Sequence, residues 1–269
     1  MKTYDPTLMN QLNEEGILKM PMLSDEQTKA IFSIYNEEIL PALGSNPFYW
    51  SISDEDKART KLINKKLKEI VLAYLLEHFA DIRPIVSSFI VKAPGSESLV
   101  AHQDWSFVDH EPENNSFTCW IPLIDINEDN GILGFFPKSQ NLYLGHRASP
   151  SPQYPRLFPE NENTFSKLQY MTLRAGEPVV FNHRIIHASK PNVSNQFRPA
   201  IILAFTATES KLVHYFLKPN ASNKTLQKYA VDEAFFDKYS NNELSQLFKQ
   251  GLNIPDYSVI EELPNLTLC

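Results

Sequence analysis

The chain has 269 residues, 42% hydrophobic and 12% aromatic, enough apolar surface for a packed core, which excludes a disordered chain. Its formal net charge of -7 argues against nucleic acid or an anionic membrane surface as the main partner. Two cysteines, Cys119 and Cys269, exclude a disulfide framework, and no apolar run reaches the length of a bilayer span. Residues 1–16 are polar and acidic with no secretory core, so the sequence reads as cytoplasmic.

In chain order, residues 7–15 and 25–39 read as helices, the second capped by Ser24 ahead of Asp25, Glu26 and Gln27. Residues 46–53 read as a turn, with Phe48, Tyr49 and Trp50 assigned to the core ahead of the alternative, substrate contact. The clearest helix spans 54–79: Ile63, Leu67, Ile70, Val71, Tyr74 and Leu75 form one stripe, and the lysines face solvent. From residue 84 short β-rich runs alternate with Pro, Gly and Asn breaks. Strands are expected near 85–92, 98–105, 117–125, 132–136, 168–173, 178–182, 184–189 and 198–207. Eight such strands predict a mainly β fold with helices, a jelly roll with N-terminal helices packed on one sheet. A strand over 212–217 and helices over 225–238 and 241–249 close the chain. The expectation is a single domain over 1–269, with helical support at 1–80, the jelly-roll core at 84–208 and a C-terminal extension at 209–269. Residues 138–167, long and irregular, read as a lid loop.

The chemistry centres on His102-Gln103-Asp104. Two apart on a strand, an imidazole and a carboxylate project from one face, and that pairing suits divalent iron. His187 is a third candidate ligand, and Arg198 follows eleven positions later across a Lys190-Pro191-Asn192 turn. Two imidazoles and one carboxylate leave coordination positions open for a 2-oxo acid and dioxygen. The distal carboxylate of 2-oxoglutarate then needs a buried cation, and the planar fork of Arg198 fits it. Ser189, two residues after His187, faces the same side.

These pieces resemble the phytanoyl-CoA dioxygenase family of Fe(II)/2-oxoglutarate oxygenases, whose core is a cupin-like double-stranded β-helix. The matching elements are His102-Gln103-Asp104, Trp120 in Thr118-Cys119-Trp120-Ile121-Pro122, Asn130-Gly131 before Phe136-Pro137-Lys138-Ser139, and His187-x-Ser189-x-x-Asn192-x-Ser194 with Arg198-x-Ala200. A helix running into Glu15-Gly16 is also similar. The resemblance implies that His102, Asp104 and His187 bind iron and that Arg198 anchors 2-oxoglutarate. It places Trp120 beside the cosubstrate and matches Lys92 to a lysine that precedes the His-x-Asp strand in some members, both, with the Ser189 hydroxyl, candidates for binding 2-oxoglutarate. It implies hydroxylation of an unactivated C–H bond of a small molecule, amino-acid-like or a natural-product intermediate, with release of succinate and carbon dioxide. Family-like halogenases lack the carboxylate that Asp104 supplies. Lys138 and Gln140 stand where the family usually has glycine and histidine. Trp105, Phe107 and His183 are candidates for the substrate pocket. The alternative is a non-catalytic sensor or scaffold that binds metal and 2-oxoglutarate. The sequence does not set the oligomeric state.

Overall fold

Local chemistry sets the helix ends. α1 (Pro6–Glu15) begins at Asp5, whose carboxylate accepts the Thr7 N–H, and stops at Gly16 in the left-handed conformation, φ 77°. α2 (Asp25–Ile34) opens on a capping box between Ser24 and Gln27 and continues through a π turn to Ile39. α3 (Lys57–Leu76) buries Ile63, Leu67, Val71, Tyr74 and Leu75, the stripe its sequence dictates. α4 (Glu233–Lys238) and α5 (Asn241–Lys249) lie towards the C-terminus. This computed structural model describes residues 1–111, 113–142, 144–151, 166–221 and 225–264. None of its described helices is long and apolar enough to cross a membrane.

The strands, in chain order, are β1 (Lys2–Thr3), β2 (Ile17–Lys19), β3 (Phe48–Trp50), β4 (Phe79–Ala80), β5 (Ile82–Lys92), β6 (Leu99–His102), β7 (Ser116–Pro122), β8 (Leu133–Phe136), β9 (Gln169–Met171), β10 (Val179–Asn182), β11 (Ile186–Ser189), β12 (Arg198–Ala207), β13 (Val213–Leu217), β14 (Thr225–Ala230) and β15 (Val259–Pro264). A six-stranded antiparallel sheet runs β2-β10-β7-β12-β5-β3, and a four-stranded one runs β6-β11-β8-β9. Together they form the expected jelly roll. A third sheet, β13-β14-β15, belongs to the C-terminal part.

The six-stranded sheet separates scaffold from chemistry by simple alternation. Phe117, Cys119 and Ile121 of β7, Phe89 and Val91 of β5, and Ile201, Leu203 and Phe205 of β12 pack against the N-terminal helices. Their even-numbered neighbours point the other way. Trp120, Ala200 and Ile202 meet Leu133, Phe135 and Phe181 in a second core between the sheets. Cys119 is a buried free thiol in the first core.

Four expectations shift. The strand expected over 98–105 ends at His102, so Asp104 lies outside the ladder. The helix expected over 225–238 is strand β14 followed by α4, because residues 225–230 pair on both sides, with β13 and β15. The turn expected over 46–53 contains β3, paired with β5 through Tyr49 and Val91. Of the expected lid over 138–167, Tyr143 and residues 152–165 lie outside the described residues.

Candidate active site

The site starts from one β-pair. On antiparallel β6 and β11, His102 sits directly opposite His187, and their ring centroids are 4.2 Å apart. Each Nδ1 meets a main-chain carbonyl two residues back, Val100 at 2.9 Å and Ile185 at 3.1 Å. A carbonyl can only accept, so each Nδ1 carries the hydrogen and each Nε2 keeps its lone pair. That is the tautomer a metal ligand needs.

Asp104 reaches the same point from beyond the strand end. Its N–H donates to the His183 carbonyl (3.0 Å), and its own carbonyl accepts from Arg147 Nε (2.8 Å). Thr118 Oγ1 donates to Oδ2 (3.1 Å), leaving Oδ1 3.8 Å from His187 Nε2. One donor atom from each of His102, Asp104 and His187 falls within 4.8 Å of the others. Burial alone would raise the Asp104 carboxyl. The neighbouring His187, His183 and His102, with the Thr118 hydrogen bond, outweigh it and hold the group below the ordinary carboxylate range. Two imidazole nitrogens and one carboxylate oxygen, with each Nδ1 held by a carbonyl, make a donor set that fits a divalent iron-type ion.

A second feature lies at the far end of the sheet. Arg198 opens β12 in register with Lys92, the last residue of β5. Arg198 is 1% exposed, and its Nε and Nη1 have no hydrogen-bond partner among the described residues. Its guanidinium lies over the Trp120 ring, 5.4 Å from the centroid, and burial pushes its pKa down to about 10. Lys92, also 1% exposed, donates to Ser189 Oγ (3.1 Å) and the Lys190 carbonyl (2.6 Å). Burial first, then the Arg198 charge, push it down to about 8. Because Ser189 accepts from Lys92, its own O–H remains to donate elsewhere. Asn192, fully buried, ties this corner together by donating to the carbonyls of Lys92 and Gln196.

Both features open into one cavity of about 480 Å³. Its wall includes His102, Asp104, His187, Ser189, Trp120 and Arg198, and also Trp105 and Phe107. Lys92 stands one layer behind Ser189. His183 is behind the wall as well. It is 1% exposed, its ring nitrogens meet Ser116 Oγ (2.7 Å) and Thr118 Oγ1 (2.9 Å), and burial lowers it to about 4. The expectation that it lines the pocket with His187 fails because residue 183 lies in the turn before β11, not in the strand. Through Thr118 it instead steadies the Asp104 carboxylate.

The cavity has contributors beyond the candidate site residues. Phe48 and Trp50 line the cavity while Tyr49, between them on β3, turns away to donate to Asp54 (2.7 Å). Arg147 and Glu111 form a buried pair, 2.7 Å apart, that fixes the Asp104 carbonyl. Arginine forty residues from a motif carries no local signal. Strand alternation across 48–50 could have found the aromatics. At the unusual turn, Lys138 takes the left-handed conformation open to glycine, φ 67°, and pairs with Glu15. Gln140 donates to the Asn13 carbonyl at the end of α1 and fills the space beside Gly16.

Known proteins resemble this chain in sequence and in fold. A family model described as phytanoyl-CoA dioxygenase (PhyH) matches residues 43–200. Phytanoyl-CoA dioxygenase domain-containing protein 1 of Danio rerio is 27% identical over 125 residues, 44% of this chain and 43% of that protein. Peroxisomal phytanoyl-CoA dioxygenase of Homo sapiens is 24% identical over 159 residues, 55% of this chain and 44% of that protein. The chain therefore matches less than half the length of these curated relatives. Among solved structures, the non-heme alpha-ketoglutarate-dependent carbocyclase SnoK of nogalamycin biosynthesis superposes with a TM-score of 0.56 at 16% identity, covering 77% of this chain and 86% of that one. The epimerase SnoN, solved with Fe3+, alpha-ketoglutarate and nogalamycin RO, superposes at 0.54 and 16% identity, covering 77% and 84%. The structural likeness speaks for the fold, a cupin-like jelly roll. The family match covers more than half of the sequence, and the chain belongs to the phytanoyl-CoA dioxygenase family.

Proposed function

We propose that this protein is an Fe(II)- and 2-oxoglutarate-dependent dioxygenase that hydroxylates an unactivated C–H bond of a small organic substrate. One observation carries the reading: a two-histidine, one-carboxylate donor set shares a cavity with a buried arginine whose Nε and Nη1 have no partner among the described residues. A buried guanidinium without an anion is unfavourable, so the site calls for a carboxylate ligand.

In this reading His102, Asp104 and His187 hold the iron, and Arg198 takes the distal carboxylate of 2-oxoglutarate. Bound together, iron and 2-oxoglutarate supply oxidative C–H chemistry with dioxygen, releasing succinate and carbon dioxide. The protein's share is positioning. Thr118 and the main chain at His183 fix the Asp104 carboxylate. The Val100 and Ile185 carbonyls fix the imidazole tautomers. Ser189 donates its hydroxyl hydrogen towards the cosubstrate, Trp120 supports the guanidinium from beneath, and Lys92 adds positive potential from behind. The aromatic wall excludes water from the reacting carbon.

The test is anaerobic addition of Fe(II) and 2-oxoglutarate to the metal-free protein. A visible charge-transfer band is expected, absent in Asp104→Gly. No band with the wild-type chain would overturn the reading. In air, succinate release separates an enzyme from a protein that only binds both ligands.

A further inference from the structure

The cavity wall also describes what can enter beside the cosubstrate. Phe48, Trp50 and Ile52 form one side, and Trp105, Phe107 and Phe236 another. Val86, Ile90, Ile202 and Ala204 from the inward face of the six-stranded sheet make the floor.

Away from the Arg198 end, where the Ser189 O–H stays free to donate and Trp120 Nε1 has no hydrogen-bond partner among the described residues, the polar side chains of this wall are engaged. Arg147 gives Nη1 and Nη2 to Glu111 (2.7 and 3.3 Å) and Nε to the Asp104 carbonyl. Asn241 exchanges two hydrogen bonds with the main chain of Ser151 (2.7 and 2.8 Å). Trp50 Nε1 donates to Ser88 Oγ (2.7 Å), and Ser240 Oγ caps α5. The remaining charges in the wall are Asp104, in the metal set, and Arg198, at the cosubstrate end. Among the described residues, no cation or carboxylate is left over to meet a charged substrate.

We propose that the substrate is an uncharged, predominantly hydrophobic molecule, held by shape and aromatic contact. The inference rests on the oxygenase reading for assigning Arg198 to 2-oxoglutarate. A carboxylate, ammonium or phosphate inserted here would lose its hydration without gaining a counter-charge from the described residues. Amino-acid-like substrates, which carry both charges, therefore give way to neutral, lipid-like or polycyclic ones.

Three probes with one hydrocarbon body test this: 1-adamantanol, 1-adamantanecarboxylate and 1-adamantylammonium. Each is titrated into the full chain loaded with Mn(II) and saturating 2-oxoglutarate, which occupies Arg198 and prevents turnover. Quenching of tryptophan fluorescence reports binding, since Trp50, Trp105 and Trp120 all line the cavity. The alcohol is expected to bind at least about tenfold more tightly than either ion. Equal or tighter binding of the carboxylate or the ammonium overturns the proposal, and so does failure of the alcohol to bind up to its solubility. Phe48→Lys, at the partly exposed rim, is expected to shift the ranking severalfold towards the carboxylate, and no shift in a folded variant counts against the assigned location. The wild-type ranking decides even if that variant fails to fold. Calorimetric titration of 2-oxoglutarate alone separates the two readings. If it does not bind while the alcohol ranks first, the oxygenase reading fails and the neutral pocket stands.

Discussion

Arg198 is the side chain whose surroundings most demand a ligand, and the sharpest predictions belong there. Arg198→Ala should raise the KM for 2-oxoglutarate roughly 10–100-fold, the worth of a charge-assisted bidentate contact, as measured by succinate formation. Lys92, held near 8, predicts a pH effect. The groups acting on it are Arg198, which lowers it, and Glu97, which raises it. An anion bound nearby favours the protonated form, so 2-oxoglutarate should bind progressively more weakly as pH rises through about 8. Lys92→Met should flatten that profile. Stability runs the other way. Between about 8 and the ordinary lysine pKa of about 10.4 the unfolded chain holds the extra proton, so this lysine's burial penalty is relieved as pH rises through that window. Denaturation midpoints at pH 7.5 and 9.5, compared between wild type and Lys92→Met, check the sign. Thr118→Val removes the hydrogen bond to Asp104 and should weaken metal binding roughly tenfold, read by Mn(II) titration.

At the scale of elements, the corner where β5, β11 and β12 meet is closed by Gly131. It has φ +88°, and an added Cβ would stand 3.1 Å from Lys92 Cδ and 3.2 Å from the Lys190 carbonyl. Gly131→Ala should therefore destabilise by about 1–2 kcal/mol in urea denaturation, combining left-handed strain with crowding. The sequence made much of this scale readable. The α3 stripe, the Ser24 cap and the alternation of β12 are signals contained within a few residues. The meeting of His102 with His187 was legible only as spacing, and the structure supplies the direct cross-strand pairing. What stayed hidden depended on distant partners. Residues 225–230 form a strand because β13 and β15 flank them, and Asp104 is placed by Arg147, forty-three positions away. His183 stands behind the cavity wall because residues 183–185 form a turn that interrupts strand parity ahead of β11.

For the whole molecule, the fold keeps Arg198 and Lys92 buried side by side, with Glu97 the one acidic group among the described residues that raises the Lys92 pKa. Ligands that neutralise them should stabilise the folded state by mass action. With 2-oxoglutarate at a hundred times its Kd for the Mn(II)-loaded protein, its share of the gain is about 2.7 kcal/mol, which for a chain of this size raises Tm by roughly 5–10 °C. A chelator should reverse it, and Arg198→Ala should lose the 2-oxoglutarate share. The odd–even division of the six-stranded sheet has an evolutionary consequence. Odd positions of β7 and β12 answer to the helices, and even positions to the cavity. Lineages can therefore rewrite their selectivity along one parity without disturbing the load carried by the other. A mutational scan read for abundance and for turnover should split along β12 into two interleaved tolerance patterns, each repeating every second codon.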